Sequence, residues 1–175
     1  YWNTWRFVPK SDMVQKFESA VALKTKTFNS TPELGIFTYK VITGPNSGTY
    51  ERIEANKKPA DYDRDRSVEA AFWDKNVAKY IQSGKGPYVW QRIKGLSINF
   101  EEVRPTKYFR SFTRVLKNGN NEDFWRYLTR HSEVLRKARP DVQEAIFVMS
   151  SGGNTNTVRI LTAFNDPNER EGKRK

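Results

Sequence analysis

Cysteine is missing altogether from this 175-residue chain, and histidine occurs once, at His131. The first absence removes disulfides, thiolate metal sites and thiol nucleophiles together. The second leaves too few imidazoles for an ordinary zinc site. No run of apolar residues approaches the roughly 18 needed to span a bilayer as a helix. There is no G-x-S-x-G nucleophile motif, and the glycine pairs at 84/86 and 152/153 lack a P-loop lysine, so they read as turns. Asp61, Asp63 and Asp65 alternate like the start of a calcium loop. The later glycine and glutamate are absent, and Arg64 and Arg66 supply local compensation.

What is present is basic and aromatic. Lys and Arg number 31 against 20 Asp and Glu, a net charge of +11 spread along the chain rather than gathered in one block. That excess suits anionic partners: nucleic acid, an acidic polymer or a small carboxylate. Aromatics make up 14% of the residues, enough to expect a packed core rather than disorder. The chain begins at Tyr1 instead of Met, which a removed leader and a trimmed start fit equally. A secreted or periplasmic setting is slightly favoured over a cytoplasmic one.

A pattern recurs about 107 residues along. Val8 and Lys10 answer to Val115 and Lys117; Phe17, Val21 and Phe28 answer to Phe124, Leu128 and Leu135; Arg52-Ile53 answers to Arg159-Ile160. A period this long indicates a duplicated domain. In the first copy, residues 2–8 read as a strand, and a helix capped by Ser11 or Asp12 presents Val14, Phe17, Val21 and Phe28. Residues 34–42 and 49–55 form a hairpin around the turn at 44–48. Ser67 caps a second helix running to about Gln82, stopped by Gly84 to Pro87, and residues 88–101 form a strand bulged at Gly95. In the second copy, residues 108–116 are a strand, 124–138 a helix, and 142–150 with 157–164 a hairpin. Asp166 to Glu169 looks like another helix start. The expected organisation is a first unit over 1–104, an incomplete second unit over 105–165 and a flexible basic tail over 166–175.

This order resembles tandem ferredoxin-like repeats, and hence the dimeric α+β barrel superfamily of antibiotic-biosynthesis-type monooxygenases, stress-responsive barrel proteins and chlorite-dismutase-like haem proteins. The resemblance implies an α+β fold with antiparallel sheets, helices on the outer faces and a pocket between the sheets. The missing last helix and strand of the second repeat would leave an edge open to a partner, so a homo-oligomer is expected.

Two residue patterns carry the functional expectation. His131 lies in the helix stripe of Phe124, Leu128 and Leu135, and its counterpart in the first copy is Lys24, among Phe17, Val21 and Phe28. An imidazole there is a candidate general base, or a haem ligand as in haem-binding members of the superfamily. The alternative is a core histidine bonded to a backbone carbonyl, with Lys24 snorkelling to water. Period-two spacing also puts an aromatic and an arginine on the same side of several strands: Tyr50 with Arg52, Trp90 with Arg92, and Tyr108 with Arg110 and Arg114. With helices on one sheet face, these side chains are expected on the other, where they would bind a planar or anionic molecule. The leading expectation is therefore a small-molecule binding protein or a cofactor-independent, monooxygenase-like enzyme. The alternatives are a basic protein binding nucleic acid or an acidic polymer, and a structural assembly subunit.

Overall fold

The computed structural model describes residues 1–100, 106–119 and 121–166. The expected boundary at 104/105 and, Asp166 apart, the expected tail and its helix start lie outside the described residues. The fold is α+β, and the chain divides into two compact units, Tyr1–Tyr88 and Val89–Lys175.

The first unit runs β1 (Trp2–Pro9), α1 (Val14–Phe28), β2 (Ile36–Lys40), β3 (Tyr50–Glu54), α2 (Ser67–Asn76) and the start of β4 (Ile81–Arg92). Its strands lie in the order β2-β3-β1-β4. β3 is antiparallel to both neighbours, with Trp5 and Thr38 opposite Arg52. Strand alternation then puts Trp5, Phe7, Tyr50, Arg52 and Thr38 on one face. The apolar stripe of α1 lands there as its spacing predicts: Phe17 and Val21 are buried with Tyr50 and Val77, and Phe7, Trp73, Tyr80 and Ile81 pack around them. α1 starts later than expected, since Met13 and not Ser11 or Asp12 holds the N-cap position.

The second unit contains the end of β4, β5 (Tyr108–Val115), α3 (Glu122–Ala138), β6 (Gln143–Ser151) and β7 (Thr157–Phe164). Its strand order is β4-β6-β7-β5, antiparallel at each pairing. Leu128 of α3 is buried against Ile146 and Val158, with Phe124, Trp125, Val148 and Ile160 around them.

The stretch from Asn76 to Gly95 departs most from expectation. α2 ends at Asn76, a short 3-10 turn covers Ala78–Tyr80, and β4 begins at Ile81. Past the helix end, Lys10 ties this stretch to β1: its backbone N–H donates to Tyr80 O at 2.9 Å and its Nζ to Lys79 O at 2.8 Å. β4 then runs straight through Gly84 to Pro87, the segment expected to be a stop. These glycines permit close approach rather than a turn. A Cβ on Gly84 would sit 3.1 Å from the Phe7 ring, and one on Gly86, whose φ is +109°, would sit 2.7 Å from the Thr4 carbonyl oxygen. The register shift falls at Val89/Trp90, not at Gly95. Gly95 instead lies in the 3-10 turn Lys94–Leu96.

This predicts an ordered set of glycine substitutions. Gly86→Ala combines an unfavourable φ with backbone overlap and should destabilise by roughly 2–4 kcal/mol. Gly84→Ala needs only a shift of the Phe7 ring and should cost about 1–2 kcal/mol. Gly95→Ala meets nothing within 4 Å and should stay within about 0.5 kcal/mol. Urea denaturation midpoints check the order; equal losses at all three positions would contradict it.

Candidate functional site

The helix-covered face of the first unit carries a buried ionic network. Lys24, from the middle of α1, is 3% exposed. Its Nζ donates to Glu69 Oε1 of α2 and, at 2.6 Å, to Asn29 Oδ1. Glu69 also accepts from Asn29 Nδ2 at 3.1 Å and Arg66 Nε at 3.0 Å. Arg66 reaches on to Glu54 of β3 at 3.1 Å, where Lys57 (3.2 Å) and Asn3 (3.0 Å) also converge. Lys24 is thus an ion-paired buried amine and does not snorkel, because α2 brings a carboxylate across to it.

Beside this network lies a cavity of about 400 Å³. Trp5, Phe7, Ile36 and Trp73 supply apolar wall, and Lys24, Arg52 and Glu69 supply charge. Trp73 packs on Phe7 with ring centroids 5.1 Å apart, and the Arg52 guanidinium sits 4.6 Å from the Trp73 ring centroid. Arg52 is 4% exposed, and its Nε and Nη2 have no hydrogen-bond partner.

Protonation equilibria follow from this packing. Burial lowers the Lys24 pKa to about 8, against the opposing pull of the Glu69 hydrogen bond. Burial lowers Arg52 to about 10, so it stays charged at neutral pH. For Glu69, burial disfavours the charge, but hydrogen bonds from Arg66 and Lys24 override it and hold the carboxyl at about 2.

The residues singled out from the sequence fall into separate groups. Tyr50 and Arg52 share a face, but it is the face the helices cover. Tyr50 meets Phe17 edge-on at 5.0 Å and its hydroxyl donates to Glu18. Alternation fixes which residues face together, not which side receives the helices. The other six residues belong to the second unit. Trp90 is buried, with Arg159 lying 5.6 Å from its ring centroid. Arg92 shares its strand face opposite Phe147, with Nη1 buried and unpartnered. Tyr108 stacks on Phe164 at 5.5 Å. Arg110 and Arg114 are exposed and flank the Phe112 ring, 4.3 and 5.6 Å from its centroid.

His131 is not at the centre of the buried line of α3. Leu128 and Ser132 are fully buried, since the Ser132 hydroxyl donates to Leu96 O at 2.8 Å. The His131 side chain is 29% exposed, and its Nε2 lies 2.9 Å from Glu144 Oε1. Its partner is a carboxylate, not a backbone carbonyl. Buried Glu144 is held in turn by the Thr162 hydroxyl at 3.1 Å. Each of the equivalent positions 24 and 131 therefore meets a glutamate, one delivered by a helix and the other by a strand. Among the described residues no group of three or more His, Cys, Asp or Glu could hold a metal ion.

Sequence reasoning missed Glu69, Arg66, Glu54, Trp73 and Glu144. The only signal for the first three was that a lysine within an apolar stripe requires a counter-ion.

No protein-family profile matches this chain, and no curated protein resembles it significantly in sequence. Solved structures do resemble it in fold. One, a protein from Lactobacillus acidophilus NCFM provisionally named a monooxygenase, has a TM-score of 0.58 at 12% identity, covering 97% of this chain and 79% of its own. Another, provisionally named a monooxygenase from Fusobacterium nucleatum subsp. nucleatum, has a TM-score of 0.54 at 14% identity, covering 97% and 77%.

The network predicts a two-sided pH profile. Glu69 has a lower pKa folded (about 2) than its ordinary 4.5, so the unfolded chain binds more protons between them. Stability from this group is full above about pH 4.5 and is lost as pH falls toward 2. Glu69→Gln should flatten that acid limb. Lys24 has a folded pKa of about 8 against 10.5, so stability rises with pH between those values, and Lys24→Met should remove the rise. Glu69→Ala, which strands buried cations, should cost roughly 3–5 kcal/mol. Denaturation at a series of pH values tests all three, and unchanged slopes in the variants would refute the assignment.

Proposed function

We propose that this protein binds a small planar or anionic organic molecule in the first-unit cavity and is monooxygenase-like in type. One observation carries the reading: a cavity of about 400 Å³ walled by Trp5, Phe7 and Trp73 and bordered by Lys24, Arg52 and Glu69. That volume and mixture of aromatic surface with a few charged groups suit a small-molecule site. The fold likeness to two provisionally named monooxygenases supports the class and not the substrate. The order β-α-β-β-α-β with strands β2-β3-β1-β4 is that of a ferredoxin-like unit. We read the second unit as an incomplete copy within the α+β barrel superfamily. We take any chemistry to be cofactor-independent, and keep His131 as a candidate base of the second unit, apart from this cavity. Glu144 faces one ring nitrogen, orients the imidazole and leaves the other for a substrate proton, an arrangement better suited to a base than to a haem ligand.

A second reading is favoured by one feature of the second unit. β5 carries exposed Arg110 and Arg114 around Phe112, with Lys107 over the Tyr108 ring at 5.4 Å. Cations interleaved with aromatics suit a single-stranded nucleic acid.

Native mass spectrometry of the purified protein should detect a co-purified molecule of fewer than about 25 heavy atoms. Trp73→Ala should weaken its binding by about tenfold, while His131→Ala, in the other unit, should leave binding unchanged. Oligonucleotide binding should be negligible near physiological ionic strength; salt-sensitive micromolar affinity lost in Arg110→Ala/Arg114→Ala would instead establish the second reading.

A further inference from the structure

Arg52 is the surplus cation of the first unit. A guanidinium buried without a hydrogen-bond acceptor is costly, so its retention calls for an explanation. Two carboxylates lie close enough to attract it, Glu69 and Glu54. Both are committed elsewhere. Glu69 Oε1 accepts from Lys24 and Asn29, and its Oε2 from Arg66 at 3.0 Å. Glu54 Oε1 faces Lys57 and Arg66, and its Oε2 accepts from Asn3 at 3.0 Å. Nothing is left for Arg52, whose Nε and Nη2 lack partners. Across the β2–β3 pair, directly opposite Arg52, the Thr38 hydroxyl is also buried and unpartnered.

We propose that the cavity's ligand is an aromatic carboxylate whose carboxylate is held by Arg52, with the ring against Trp73. The inference rests on the small-molecule reading of this cavity and specifies its ligand class. Nε and Nη2 form the side-on edge of the guanidinium, which matches the two oxygens of a carboxylate and leaves each oxygen hydrogen-bonded. Trp73 already stacks on the guanidinium, and Trp5 and Phe7 extend the aromatic wall. Charge supports the same polarity. Lys24, Arg52 and Arg66 border the cavity against Glu69 and Asp74. Glu69 is neutralised by Lys24 and Arg66, and Asp74 is exposed to screening solvent.

The test compares 2-naphthoate with its neutral counterpart 2-naphthalenemethanol, by calorimetry and tryptophan quenching, on the full chain. Wild-type protein should bind naphthoate about 10- to 100-fold more tightly than the alcohol. Arg52→Gln should erase that preference by weakening naphthoate far more than the alcohol, and Arg52→Lys should retain only part of it, because a point charge lacks the fork. Equal binding of the two probes by wild type would overturn the carboxylate assignment and leave the cavity reading standing. A preference that survives in folded Arg52→Gln would place the anion elsewhere and also overturn it. If neither probe binds, the cavity reading itself falls. If Arg52→Gln fails to fold, Arg52→Lys decides: an undiminished preference for naphthoate in that variant overturns the assignment.

Discussion

The first unit is organised around a lysine that cannot reach water. Lys24 projects from the apolar stripe of α1, so its amine must be neutralised where it lies. That requirement sets the placement of α2, because Glu69 has to arrive from the opposite helix. Glu69 cannot be satisfied by Lys24 alone, so Arg66 closes on it from the preceding turn and carries the network to Glu54 in the sheet. Two helices and a central strand are thereby tied by charge-assisted bonds as well as by Phe17, Val21 and Trp73. Loss of the carboxylate would leave Lys24 and Arg66 facing one another in a low-dielectric setting, where like charges repel strongly.

The same saturation makes Arg52 distinctive. A network that consumed every cation would be structural only. This one fills its carboxylates with Lys24, Arg66, Lys57 and two asparagines, and leaves Arg52 stacked on Trp73 beside open volume. A cation held on an aromatic face with its hydrogen-bonding edge unused is what the proposed carboxylate site requires.

The two units put a charged or titratable helix residue in different surroundings. Positions 24 and 131 are equivalent in sequence, and each finds a glutamate. Lys24 is sealed in by a second helix. His131 is partly exposed and anchored to a strand glutamate. Position 24 is thus an interior ion pair, and position 131 a partly exposed imidazole.

The sequence by itself determined the element order, the helix stripe carrying Phe17 and Val21, both hairpins, and the sharing of one strand face by Tyr50 and Arg52. These follow from periodicities of 3.6 and 2, which are local properties of the chain. Only the tertiary structure decided which sheet face the helices cover, and so whether Arg52 meets solvent or Trp73. It alone brought Glu69 to Lys24 and turned Gly84 and Gly86 from expected breakers into points of close approach along a strand. The reason is physical: a residue's neighbours along the chain set its local geometry, but its counter-ion, its packing partner and its steric limit come from segments far away in sequence.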